Sequence, residues 1–357
     1  MSYYINQQKL TNIISSFIPV SHETGTTPLT SGHINDTYHI SDFILQRLNP
    51  VALPSVEYMM SNIIKVTEHL QKKGFEYRTL RFYKVYAGSS YLYYDSDGSA
   101  WRLCDYIDSV SYGKTFDTDI VFETGKAFGA FERALTDFDI SGLFSTLPGF
   151  HNTPVYFDRL KQEFDGTTDT AAHDSVIADR ITSLYIKLMH LRDKACILSE
   201  LLSSGRLPLR VTHNDTKINN LLFDKDLKKA IAVIDLDTVM PGLIAWDFGD
   251  GVRFAAGIEQ DGHMIFDFEI FKAFCDGFIP QVKDFLTAEE KETMYLAPLS
   301  MAVELAVRYL TDFLSGNVYF HTDYPEQNLD KAEKQYELAL LILEKEEDIR
   351  EYLNSLS

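Results

Sequence analysis

In the stretch Leu209–Asp237, LRVTHNDTKINNLLFDKDLKKAIAVIDLD, an apolar run ends at His213-Asn214-Asp215, a second apolar pair leaves Asn220, and a third run, 230–234, delivers Asp235 and Asp237. A loop bearing a carboxylate and a carboxamide is thus followed by a hairpin that returns further carboxylates. Such a set suits phosphoryl transfer, in which charge sits on oxygens and catalysis rests on positioning, metal neutralisation and one acceptor for the attacking hydroxyl's proton. Hard Mg²⁺ is held by oxygen and takes only one or two protein carboxylates besides phosphate and water.

The spacing sharpens the roles. In the loop pattern H-R-D-x-x-x-x-N the Asp accepts the proton and the Asn, five residues on, reaches the metal. Asp215 and Asn220 stand at that separation. Asp215 is therefore read as the catalytic base, Asn220 and Asp235 as Mg²⁺ ligands, and Lys217 as a point charge toward the transferring phosphate. Asn and Asp are also common turn formers, but their joint spacing between runs of Val, Ile and Leu favours the site. Asp247-Phe248-Gly249 spells the D-F-G metal motif, yet it follows the Pro241-Gly242 turn rather than a strand. Its Asp is expected to cap a helix or to brace the catalytic loop through backbone hydrogen bonds. His213 is expected to orient the loop, and Asp237 to act as a brace in preference to a third metal ligand.

The segments HNDTKINN, VIDLD, PG and WDFGD resemble the catalytic segment of the aminoglycoside phosphotransferase/choline kinase family, which has the protein-kinase fold. GHINDTY, FILQRLN, LPLRVTHNDTK, VIDLDTVMPG, VRF, NVYF and YPEQNL resemble, in order along nearly the whole chain, the bacterial N-acetylhexosamine 1-kinases. The resemblance implies an α+β, two-lobed protein-kinase-like fold. Residues 1–108 would form an N-lobe with a small antiparallel sheet and one large helix, and residues 109–357 a mainly helical C-lobe.

Within that frame, a short amphipathic helix is expected over Gln7–Phe17 and strands over Gly25–Leu29, Thr37–Ile40 and Phe43–Leu48. The intervening Thr30–Asp36 takes the place of the phosphate-covering loop. Phe43-Ile44-Leu45-Gln46 takes the place of V-A-I-K, so Gln46 stands where a phosphate-holding Lys would be. A neutral amide supplies no charge, which throws nucleotide binding onto Mg²⁺ and onto Arg47 or Lys217. Pro54–Lys73 has the pattern of the lobe's large helix, closed by Gly74, with Glu57 and Asn62 facing the third strand. A hairpin is expected from Tyr91–Tyr94 and Trp101–Ile107, and its exit would offer the backbone of Asp105 and Ile107 to the adenine edge. Helices are expected over Asp119–Asp137, Asp174–Ser204, Ile265–Phe278, Ala288–Leu314 and Asp330 to about Leu353.

Composition narrows the function classes. The 357 residues, 45% hydrophobic, suffice for two lobes, and a net charge of −19 with no basic stripe argues against nucleic acid. Acidic runs such as Glu344–Asp348 read as solvated helix faces, so bulk charge does not choose the acceptor. Three scattered cysteines, Cys104, Cys196 and Cys275, fit a reducing compartment without a zinc site. With no signal-like N-terminus and no apolar span, a cytoplasmic protein with no membrane partner is expected.

By the resemblance, His33, Arg308 and Tyr319 line an acceptor-sugar pocket, with Phe254 as a wall. Arg308 lies in an apolar run one helical turn from Glu304, and a salt bridge between the two is an equal reading. The resemblance implies an ATP- and Mg²⁺-dependent kinase that phosphorylates the anomeric hydroxyl of an N-acetylhexosamine. The rivals are the same chemistry on an aminoglycoside, an amino alcohol such as choline or another sugar, and a non-catalytic nucleotide-binding homologue.

Overall fold

The computed structural model describes residues 6–19, 25–29, 35–50, 53–86, 88–166 and 175–356. The N-terminal part opens with helix α1 (Gln7–Ile14), capped by the Asn6 side chain, and strands β1 (Thr27–Leu29), β2 (Asp36–Ile40) and β3 (Phe43–Arg47). Helix α2 (Val56–Lys72) follows, then β4 (Arg78–Thr79), β5 (Tyr93–Tyr94) and β6 (Ala100–Asp105). Five of these strands form one antiparallel sheet in the order β1-β2-β3-β6-β5. Leu10, Ile13, Ile14 and Phe17 from α1 and its exit cover one face of the sheet, packing on Tyr38, Ile40, Leu45, Trp101 and Leu103.

The helical part runs α3 (Thr118–Ala134), α4 (Thr153–Gly166), α5 (Ser175–Ser203), β7 (Arg210–Thr212), β8 (Leu221–Phe223), β9 (Ala230–Val233) and β10 (Met240–Gly242). It ends with α6 (Ile244–Ala256), β11 (Gly257–Gln260), β12 (His263–Phe266), α7 (Phe268–Val282), α8 (Ala288–Thr293), α9 (Ala297–Leu314), α10 (Gln327–Glu344) and α11 (Glu346–Leu356). A single large core holds these helices together and includes the apolar face of α2, with Met59, Met60, Ile63, Val66 and Leu70. The large N-terminal helix is thereby anchored to the helical part as well as to its own sheet. Strand β4 lies parallel to β9, which pairs antiparallel with β8. Helices α3 and α7 touch through their backbones: a methyl at Gly277 would sit 2.1 Å from the Phe122 carbonyl oxygen.

Several helix expectations are corrected. The run 265–278 splits, because β11 and β12 form a hairpin whose tip, Asp261-Gly262, has positive φ at both residues, 51° and 85°. That is the geometry an Asp-Gly turn favours. Helix α7 begins only at Phe268, where Asp267 accepts the amides of Glu269 and Ile270. The run 288–314 breaks at a 3-10 turn, Met294–Leu296, because Pro298 lacks the N–H and the space needed to continue a helix. The C-terminal helix is likewise two helices, α10 and α11, and α4 was not expected at all. No helix among the described residues is long and apolar enough to cross a membrane.

Candidate active site

Two antiparallel pairs carry the catalytic loop. Strand β7 pairs with β10, Thr212 opposite Met240, and β8 pairs with β9, Leu221 opposite Val233. The loop between β7 and β8 closes with a 3-10 turn at Ile218–Asn220, and the Ile234 amide donates to the Asn220 carbonyl at 3.0 Å, tying the loop to the strand that delivers Asp235. Gly242 is required here, since a methyl at that position would lie 2.3 Å from Thr212 Oγ1 and 2.8 Å from Asn214 Oδ1.

Asp247 is a brace and not a cap. Its side chain, wholly buried in the first turn of α6, accepts the backbone N–H of His213 and of Asn214, each at 2.7 Å, while Thr216 Oγ1 donates to its carbonyl. Asn214 holds a left-handed φ of 63°, and its amide donates to the Thr212 and Thr238 carbonyls. His213 Nε2 lies 2.9 Å from the Ile234 carbonyl oxygen, so the ring orients the loop as expected.

Asp215, Lys217 and Asn220 are brought together. Asn220 Nδ2 donates to Asp215 Oδ2 at 2.9 Å and to its carbonyl at 2.7 Å, and Lys217 Nζ pairs with Asp215 Oδ1 at 2.5 Å. Burial disfavours the Lys217 charge, but Asp215 and Asp250 outweigh it and the ammonium pKa is raised. Asp235, in a left-handed backbone conformation of φ 58°, opens to solvent on one side and is enclosed by protein on the others. That enclosure, with the charges of Asp237 and Asp215, pushes its carboxyl up to about 7. Among the described residues no hydrogen bond or ion pair reaches the Asp235 carboxylate, and Asn220 Oδ1 is also left as an acceptor. Two hard oxygen donors without protein partners, in a locally negative site, fit Mg²⁺.

The sheet side differs from the sequence reading. The cation on this sheet lies one strand away from Gln46: Arg102 on β6 pairs with Gln46 across the sheet. Arg102 is 3% exposed and binds Asp237 bidentately, Nη1 to Oδ1 at 2.6 Å and Nη2 to Oδ2 at 3.0 Å. Its Nε donates to Gln46 Oε1 at 2.9 Å, and Gln46 Nε2 donates to Thr37 Oγ1 at 3.2 Å. Asn35 completes the set, donating to Asp237 Oδ2 at 3.1 Å. Asp237 is therefore held as a brace. Arg47, on the alternate face of β3, pairs instead with Asp36. Glu57 and Asn62 do not meet the third strand: Tyr94 donates to Glu57, and Asn62 turns into the core to bond the Phe144 and Val239 carbonyls. An arginine amid the strand-like run Ala100–Asp105 was the one signal that could have revealed Arg102.

At the connector, the Asp105 amide is taken by the Arg81 carbonyl and the Tyr106 amide by that of Asp42, while Tyr83 Oη donates to the Asp105 carboxylate at 2.6 Å. Of the two connector residues only Ile107 keeps an uncommitted amide among the described residues, its carbonyl accepting from Ser109 Oγ at 2.8 Å.

Of the residues expected to line an acceptor pocket, Arg308 is sunk among rings, its guanidinium 5.2–5.8 Å from the centroids of Phe150, Tyr156, Tyr319 and Phe320. The bridge to Glu304 is long, 4.0 Å, because that carboxylate is engaged by His151 Nδ1 and Thr153 Oγ1, both at 2.9 Å. Buried Asp312 accepts the amides of Val318, Tyr319 and Phe320 and so shapes the aromatic loop. Phe254 is half-buried, with Lys114 Nζ 5.5 Å from its ring centre. His33 lies outside the described residues. Asp250, not anticipated, receives Arg253 Nε and Nη2 on Oδ1. Burial opposes its charge, but Arg253 and Lys217 prevail and keep the carboxyl below its usual range.

Residues 25–277 match the model of the phosphotransferase enzyme family. Among solved structures, the chain is similar to a microcompartment-associated aminopropanol kinase (TM-score 0.67, 16% identity, covering 96% of this chain and 98% of that one). It is also similar to spectinomycin phosphotransferase in complex with ADP and spectinomycin (0.64, 12%, 96% and 99%). A choline kinase from Cryptosporidium parvum Iowa II matches as well (0.59, 13%, 96% and 97%). The protein is thus a member of the phosphotransferase enzyme family, a small-molecule phosphotransferase of the aminoglycoside phosphotransferase and choline kinase type with the protein-kinase-like fold.

Proposed function

We propose that the protein transfers the γ-phosphoryl group of ATP to the anomeric hydroxyl of an N-acetylhexosamine, giving the sugar 1-phosphate. Asp215, held by Asn220 and Lys217, takes the proton of the anomeric hydroxyl as its oxygen forms the new bond to phosphorus, while the bond to the β,γ-bridging oxygen breaks and ADP leaves. Lys217 supplies positive charge beside the transferring group. Asn220 Oδ1 and Asp235 would hold Mg²⁺, which neutralises triphosphate charge when bound. Gln46, with Arg102 fixed behind it, and the connector amide at Ile107, two residues past Asp105, form the nucleotide side.

The observation that carries the sugar reading is the acceptor side itself. A buried arginine roofed by Phe150, Tyr156, Tyr319 and Phe320 repels a cationic acceptor, and its N–H groups and the tyrosine hydroxyls suit a neutral polyhydroxylated one. An aminoglycoside pocket would instead present carboxylates, and in a choline pocket the rings would face the ligand's ammonium, whereas here an arginine already occupies them.

The test is ADP release with ATP and Mg²⁺ against N-acetylglucosamine, N-acetylgalactosamine, glucose, choline, kanamycin and no acceptor. Turnover with the N-acetylhexosamines and a 1-phosphate product is expected. Turnover confined to choline or kanamycin would overturn the acceptor, and silence across the panel would overturn the activity.

A further inference from the structure

Glu132 lies in the last turn of α3, 3% exposed, and no hydrogen-bond donor among the described residues reaches either carboxyl oxygen. An ionised carboxylate so placed is expensive. Helix α3 packs against α6 here, and the carboxyl that Glu132 faces is that of wholly buried Asp247, which grips the His213 and Asn214 amides. Two carboxyl groups in contact inside a protein cannot both stay charged, and the stable arrangement is one proton shared between them.

We propose that Glu132 is a positioning residue of the phosphoryl-transfer site: it remains protonated, donates its O–H to Asp247, and so fixes the carboxylate that holds the loop carrying Asp215. The inference rests on the reading of Asp215 as the base. The other groups around Glu132 leave this arrangement intact. Arg210 on β7 is the cation that most favours a charged Glu132 among the described residues, and it is already bound through Nε and Nη2 to both oxygens of Glu290 on α8, at 2.8 Å each. Helix α7 meets α3 through the backbone of Phe274 and Phe278 and the Gln281 side chain. Lys229, ahead of β9, pairs with Glu123 further up α3. The imidazole of His213, packed edge-on against Phe128 and Phe131, leaves Nδ1 without a partner. Burial first, then the charge of Asp247 and the hydrogen bond to it, hold the Glu132 acid well above the usual carboxyl range.

The sign of the pH effect follows. The folded chain keeps a proton that the unfolded chain releases at about pH 4.3, so this contribution to stability is full below that pH and declines as pH rises toward the folded value. Glu132→Gln removes the titration while keeping a neutral N–H donor of the same shape, and it retains most of kcat. The decisive experiment compares wild type and E132Q in melting temperature and in kcat from pH 5 to 9.5. The melting-temperature gap is expected to move in favour of E132Q as pH rises, and an alkaline fall in kcat of about tenfold or more, present in wild type, should be missing from E132Q. A gap independent of pH overturns the proton on Glu132, whatever the role of Asp215. A shifting gap with the same alkaline fall in both proteins overturns its positioning role.

Discussion

On the catalytic side of the cleft one carboxylate, Asp247, holds two consecutive amides, and Asn220 and Lys217 hold Asp215, all within a short stretch of chain. On the sheet side the corresponding order is built from Asn35, Thr37, Gln46, Arg102 and Asp237, drawn from three strands and from a segment far along the chain. The first arrangement secures geometry chiefly through backbone and amide donors, with one ammonium, Lys217, at the base itself, and the second secures it by pairing a buried guanidinium with a buried carboxylate. Breaking the first should therefore cost rate at little cost in stability, and breaking the second should cost stability before anything else.

The sharpest separation comes from Asp215→Asn. It removes the proton acceptor while leaving the loop's hydrogen-bonded frame, so kcat should fall by about 10²–10⁴-fold, with the melting temperature nearly unchanged. Near-full turnover would remove Asp215 from the base role. On the opposite side, Arg102→Leu leaves Asp237 as an uncompensated buried charge and should destabilise the fold by about 3–5 kcal/mol, read by urea unfolding. The double variant R102L/D237L removes the stranded charge and should recover much of that loss. If the double variant is no more stable than the single one, the pair is not what orders the sheet side.

This contrast also explains which parts of the molecule could be read in advance. Asp215, Asn220 and Asp235 were legible because their spacing is short and their flanking strands are regular, so local sequence already specifies their meeting. The sheet and its helix were legible from periodicity, with ends off by one to three residues at the frayed margins. Arg102 was hidden because its partners, Gln46 and Asp237, are distant in sequence, and cross-strand register decides who faces whom. Glu57 and Asn62 were misplaced for the same reason, since the rotation of α2 is set by its packing on the main core. The β11–β12 hairpin was concealed by apolar residues that continue into α7, although Asp261-Gly262 marked its turn.

The acceptor side offers the smallest effect and the finest discrimination. Arg308→Lys keeps the positive charge but loses the planar guanidinium that stacks among Phe150, Tyr156, Tyr319 and Phe320 and that presents fixed N–H groups. Cation–ring contacts of this kind are worth about 0.5–2 kcal/mol, with the upper end applying where water is excluded, as it largely is around Arg308. The expected outcome is a KM for the acceptor raised by about tenfold, with KM for ATP and kcat changed far less, since among the described residues no hydrogen bond or ring contact links these rings to Asp215 or to the sheet side. A change confined to kcat would mean that the guanidinium acts on the catalytic loop and not on the acceptor. An unchanged acceptor KM would make the aromatic roof a packing device for α9 and move the acceptor pocket elsewhere along the cleft.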